Sequence, residues 1–144
     1  MNEPKPAKPD VWRLYADGAS RGNPGPSAAG FVLDDPAGNP VASAGLALGR
    51  ATNNVAEYRA LLEGLAHARG LGVERLEVRM DSELVVRQMR GEYKVKSPGL
   101  RPLYEEALRL AQSFRSFAIA HVPRDENWRA DLEANRVLDA SAVK

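Results

Sequence analysis

Three short segments of alternating apolar and polar residues, separated by turns dense in Gly, Pro, Asn and Asp, precede the first helical stretch, and this order most constrains the fold. Val11 to Ala16 reads as a strand, the run Gly18 to Pro26 as a turn, and Ala28 to Leu33 as a second strand. After the turn residues Asp35-Pro36-Ala37-Gly38-Asn39-Pro40, the run Val41 to Leu48 pairs back as a third strand, completing an antiparallel meander. The character then changes. Thr52-Asn53-Asn54 caps a long helix that ends at Gly70 and Gly72. Leu76, Val78 and Met80 alternate as a fourth strand, and Ser82 to Arg90 reads as a short helix stopped by Gly91. A helix over Leu100 to Ser113, a fifth strand over Phe117 to Val122 and a helix from about Asn127 to Asp139 follow. The expected fold is therefore α/β: a five-stranded mixed sheet, elements in the order βββ-α-β-αα-β-α, with helices on its faces.

A chain of 144 residues with 44% hydrophobic content is expected to form one domain, over residues 11–140, with tails at 1–10 and 141–144. The opening MNEPKPAKPD is rich in Pro and charge and lacks the apolar core of a signal peptide. Charged residues break every apolar stretch before it reaches the length a bilayer needs, so the expectation is a soluble, cytoplasmic protein without membrane contact. The absence of cysteine excludes disulfides and thiolate metal sites. A net charge of +1 does not bear on nucleic-acid binding, which depends on where Lys and Arg cluster.

Four acids occupy unusual places. Asp17 follows the first strand and Asp81 the fourth, at strand ends where open α/β sheets bind ligands. Each has a second reading, Asp17-Gly18 as a turn dipeptide and Asp81 as the cap of the next helix. Glu57 shares an apolar helix stripe with Leu61, Leu65 and Ala68, which aims a carboxylate at the sheet and calls for a cation or a hydrogen-bond network beside it. Glu63 lies off this stripe. Asp131 lies on one helix face with Trp128, Ala134 and Leu138, and also reads as a surface residue at a helix start. Taken together, four carboxylates without softer ligands suit magnesium or manganese and a two-metal phosphodiester site.

The segments ADGASRGNPGP (Ala16 to Pro26), TNNVAEY (Thr52 to Tyr58), MDSELVV (Met80 to Val86) and RADLEAN (Arg129 to Asn135) resemble, in order, the four motifs of the type 1 ribonucleases H. The resemblance runs from about Val11 to Asp139. It implies an endonuclease that cuts the RNA strand of RNA–DNA hybrids, leaving 5′-phosphate and 3′-hydroxyl ends. Asp17, Glu57, Asp81 and Asp131 take the positions of the catalytic and metal-binding carboxylates, for two Mg2+ ions with Mn2+ as a substitute. Gly18 and Asn53 match positions that read ribose 2′-hydroxyls, and Asn23 and Thr52 positions that grip a DNA phosphate. Read alone, Asn23 and Asn53 are turn and cap residues.

The chain departs from the family pattern in three places. The loop before Asp131 is short, HVPRDENWRAD, and Arg124 stands near the position of a mobile family His; its permanent charge stabilises phosphate but is no ordinary general base. His121 falls inside the fifth strand, where packing or hydrogen bonding is the expected role. In place of a long basic protrusion the chain has only Arg87 to Arg101; Lys94 and Lys96, flanking Val95 beside Tyr93, read either as DNA-backbone contacts or as a solvated loop. Compact members of this kind sometimes act on duplex RNA as well, so the resemblance implies duplex RNA as a second expected partner. Leu132 and Glu133 reverse the usual order after the last Asp, which points to a small turn of the final helix or local repacking. A monomer is expected. The alternatives are a non-catalytic hybrid or duplex-RNA binding module, an integrase-like nuclease on the same fold, and a small-molecule phosphatase. The four acids count against a pure binder, since clustered negative charge beside phosphates gains it nothing.

Overall fold

The computed structural model describes residues 10–142. The expected N-terminal tail at residues 1–9 lies outside the described residues, as do 143 and 144. Asp10, assigned to that tail, forms part of a turn and pairs with Arg75 at 2.9 Å. At the other end the last helix runs to Ala142, so residues 141 and 142 continue the domain and not a tail.

The elements appear in the expected order. They are β1 (Val11–Ser20), β2 (Gly25–Asp34), β3 (Pro40–Ala51), α1 (Asn53–Gly70), β4 (Arg75–Met80), α2 (Glu83–Met89), α3 (Arg101–Gln112), β5 (Ser116–His121) and α4 (Trp128–Ala142), with a 3-10 turn over Arg124–Asn127. The sheet order is β3-β2-β1-β4-β5. β1 pairs antiparallel with β2 and β2 with β3, while β1 with β4 and β4 with β5 are parallel.

The first two strands are longer than the sequence suggests. The run from Gly18 to Pro26 is not one turn: β1 continues to Ser20, β2 begins at Gly25, and only four residues connect them. Gly18 serves close packing and not a bend, because a methyl group there would overlap the backbone of Ala56 and Glu57 in α1.

Alternation along β1 sorts the two faces. Leu14 and Ala16 face α1, whose Gly64 lets Leu14 approach closely, and the main core of Phe31, Leu33, Leu61, Leu65, Leu76 and Val78 fills this side. Tyr15 faces the opposite side, where Arg129 of α4 lies over its ring at 4.9 Å. α4 crosses β2 and β3 at Gly30 and Gly45, above a smaller core of Ala28, Ala134 and Leu138. Arg129 also makes a double ion pair with the buried Asp34, at 2.7 and 3.0 Å, which fastens the first turn of α4 to β2.

The reversed Leu132-Glu133 order leaves α4 continuous from Trp128 to Ala142. Leu132 points into water at 46% exposure, while Glu133 is half-buried where α4 crosses the sheet glycines. Trp128 is 60% exposed and does not pack, contrary to the expectation for the Asp131 face; Ala134 and Leu138 do.

Candidate active site

Tyr15 of β1 is level with Arg79 of β4, the last pair of their parallel register. Two residues on, β4 has ended and Asp17 stands beside Asp81. Asp17 thus lies within β1, opposite Gly30 of β2, and not after the strand. Asp81 does follow β4 directly. It is not the helix cap, because the Ser82 hydroxyl accepts from Val85 N and leaves the Asp81 carboxylate free for another partner.

Glu57 reaches the same point from α1, on the other face of the sheet. Thr52 caps that helix by accepting from Val55 N at 3.2 Å, and Gly72, at φ +80°, takes the left-handed conformation just beyond its end. The Gly18 N–H donates to Glu57 Oε1 at 2.8 Å. Carboxylate oxygens of Asp17, Glu57 and Asp81 lie within 4.8 Å of one another. Asp131, in the first turn of α4, is outside this trio but lines the same cavity of about 600 Å³.

The electrostatics are those of crowded acids. Burial, then the negative charges of Glu57 and Asp81, push the Asp17 carboxyl up to about 10. Glu57 is raised to about 8, chiefly by burial and also by the Asp81 and Asp131 charges, against the opposing pull of the Gly18 N–H and the Arg124 guanidinium. A set of hard oxygen donors that repel one another in this way fits divalent cations of the magnesium and manganese type, whose charge would relieve the repulsion.

Of the other expected residues, Gly18, Asn53 and Arg124 line the cavity with the acids. Asn23 and Thr52 are not among its lining residues: Asn23 Oδ1 accepts from Asn53 N at 3.1 Å, and Thr52 is the helix cap. His121 is the last residue of β5, exposed and on the cavity wall, so the expected packing role is not realised. Lys94 and Lys96 are exposed on a loop anchored by buried Val95, whose carbonyl accepts from Arg101.

Sequence reasoning missed Asn127 and Asn135. Asn127 is 1% exposed, and its Nδ2 donates both to Ala16 O and to Asp81 Oδ1, each at 2.9 Å. Asn135 Nδ2 donates to Asp131 Oδ1 at 3.0 Å. A polar residue at a helix start carries no sign that it is buried; Asn135, one turn after Asp131, was visible as an i,i+4 pair.

The family described as reverse transcriptase-like matches residues 15–137. The crystal structure of RNase H1 from the halophilic archaeon Halobacterium salinarum NRC-1 has a TM-score of 0.88 at 46% identity, over 90% of this chain and 98% of that one. The chain belongs to the type 1 ribonuclease H family. A second type 1 ribonuclease H structure, LC11-RNase H1 in complex with RNA/DNA hybrid, from a protein isolated from compost, has a TM-score of 0.85 at 39% identity, over 91% and 99% of the two chains. By sequence, ribonuclease HI of Halobacterium salinarum is 48% identical over 125 residues, 87% of this chain and 63% of the relative. The bifunctional protein Rv2228c of Mycobacterium tuberculosis is 51% identical over 130 residues, 90% of this chain and 36% of the relative. The type 1 ribonuclease H chain described here thus spans less than two thirds of the length of these two relatives.

Proposed function

We propose that the protein is an endonuclease that hydrolyses the RNA strand of RNA–DNA hybrids, leaving 5′-phosphate and 3′-hydroxyl ends. The observation that carries this reading is the convergence of Asp17, Glu57 and Asp81 from three separate elements to within 4.8 Å, with Asp131 on the same cavity wall. Membership of a family in which LC11-RNase H1 has been crystallised with an RNA/DNA hybrid supports the substrate class.

Asp17, Glu57, Asp81 and Asp131 would hold two Mg2+ ions, with Mn2+ as a substitute. Bound divalent ions supply Lewis-acid activation of water and neutralise charge on the phosphodiester. The chain's own residues do the rest. The Gly18 N–H holds the Glu57 carboxylate in place, and Asn127 holds Asp81. Asn53 and Gly18 line the cavity, and in this reading the Asn53 side chain and the backbone at Gly18 test for a ribose 2′-hydroxyl, the group that separates RNA from DNA. Asn23 and Thr52 serve the DNA-strand phosphate from outside the cavity. Arg124 brings fixed positive charge towards the reacting phosphate. In the reaction a water oxygen bonds to phosphorus as the bond to the 3′ oxygen breaks, and the proton the water gives up balances the one the leaving 3′ oxygen takes. The same reading has the protein act as a monomer in the cytoplasm; among the described residues no helix is long and apolar enough to cross a membrane.

The test is cleavage of a hybrid labelled on its RNA strand, with Mg2+, Mn2+ or chelator, for wild type beside Asp81→Asn. An asparagine there still accepts from Asn127, so the fold is kept while a charged ligand is lost. The expected result is metal-dependent cutting of RNA by wild type and none by the variant, with hybrid binding retained by both. Binding without cutting under every metal would replace this proposal with a non-catalytic module. Duplex RNA and small phosphate esters in parallel reactions define the substrate range.

A further inference from the structure

Asp131 is held from within its own helix. It stands outside the 4.8 Å trio, and whereas Glu57 and Asp81 accept from Gly18 and Asn127 of other elements, its donor comes from one turn on in α4. Asn135, one helical turn on, donates from Nδ2 to Asp131 Oδ1 at 3.0 Å and to the Asp131 backbone carbonyl at 3.0 Å. Anchoring the amide on the backbone while it grips the carboxylate restrains both torsions of the short Asp131 side chain.

The far end of the same amide is also engaged. Asn135 Oδ1 accepts from Arg21 Nη2 at 3.4 Å, and that nitrogen pairs with Asp139 at 2.5 Å. Arg21 belongs to the β1–β2 turn, whose Asn23 accepts from Asn53 N at the start of α1. A side-chain path therefore runs from the α1 N-terminus, through the turn, to Asp131. Both Arg21 and Asn135 line the carboxylate cavity.

We propose that Asn135 is the positioning residue for Asp131, and that Arg21 ties this setting to the turn that carries Asn23. The inference rests on the metal-dependent hydrolase reading given above. Without the amide donor the Asp131 carboxylate turns freely, which weakens ion binding at its side of the cluster and lowers the rate. Hybrid affinity, which depends on phosphate contacts elsewhere, stays unchanged. Asn135→Asp keeps the shape of the side chain and replaces the donor by a second carboxylate facing Asp131.

The experiment compares full-length wild type, Asn135→Ala, Asn135→Asp and Arg21→Ala. Three quantities are read: Mn2+ binding by calorimetry without substrate, kcat and KM on a hybrid, and the melting temperature. For Asn135→Ala, weaker Mn2+ binding and a kcat lowered by about tenfold or more are expected, with KM and melting temperature little changed. Asn135→Asp is expected to lose more, and Arg21→Ala less. Unchanged Mn2+ binding in both Asn135 variants overturns the proposal, as does a loss of rate that follows the loss of melting temperature. If wild type does not cut the hybrid, the proposed function fails, and the Mn2+ titration still decides the role of Asn135.

Discussion

The backbone N–H of Gly18 donates to Glu57 Oε1 at 2.8 Å, and the bond exists because β1 and α1 touch where Gly18 has no side chain. Gly18→Ala therefore forces the strand and helix apart. The expected result is a destabilisation of about 1–3 kcal/mol from overpacking and a loss of cleavage by about a hundredfold from displacement of Glu57. Chemical denaturation and hybrid cleavage, measured on the same preparation, check both.

The metal-free protein should lose stability as the pH rises. Asp17 and Glu57 have folded-state values raised to about 10 and about 8 from ordinary values of 3.8 and 4.5. The stability they contribute is fully present below those ordinary values and is lost as the pH rises through the raised ones, because the folded state then holds protons the unfolded chain has released. Melting in chelator should fall between pH 5 and pH 9, and Mg2+ should flatten that fall. Asp17→Asn, which removes a carboxylate that must take up a proton on folding at pH 7, should stabilise the metal-free protein there by about 1–3 kcal/mol. A melting curve independent of pH in chelator would contradict the crowded-acid description.

Asn127 joins the α4 entry to β1 through Ala16 O and to the residue just after β4 through Asp81 Oδ1. Asn127→Ala leaves a buried carbonyl without its donor and frees Asp81. A cost of about 2–4 kcal/mol in urea denaturation is expected, together with a lower kcat. A stability change below about 0.5 kcal/mol would show that the amide is dispensable.

Arg124 puts a fixed charge on the cavity wall, where it opposes the rise of the Glu57 carboxyl, and the proposed function has it stabilise the phosphate. Arg124→Ala should lower kcat by about tenfold, with Arg124→Lys retaining part of the rate because the charge survives without the guanidinium fork. Steady-state kinetics alongside His121→Ala separates the two residues. A larger loss for His121→Ala than for Arg124→Ala would transfer the role to the imidazole.

Much of this architecture is legible along the chain. Alternation of Leu76, Val78 and Met80 with Arg75, Glu77 and Arg79 places β4 with one apolar and one charged face, and the charged face carries the Arg13–Glu77 pair to β1 at 2.8 Å. Glu57 on an apolar stripe is a local anomaly that periodicity exposes. The extent of β1 and β2 is not legible in the same way, because Gly18 looks like a turn residue until α1 is packed against it, and Gly25 until the Arg21–Gly22 backbone closes over it. Trp128 misleads for the converse reason: its apolar surface suggests burial, and the position of α4 over Gly30 and Gly45 turns it outward.

The sequence by itself determined the order of elements, the mixed sheet and the identity of the four acids, since each is written in local periodicity or in short motifs. Tertiary structure alone decided which acids meet. Register between β1 and β4 brings Asp17 level with Asp81, and the close approach at Gly18 brings Glu57 to them. It also recruited Asn127 and Asn135 as donors to Asp81 and Asp131. An amide's hydrogen-bond partner depends on what is folded against it, and that distance is set by packing across the whole sheet.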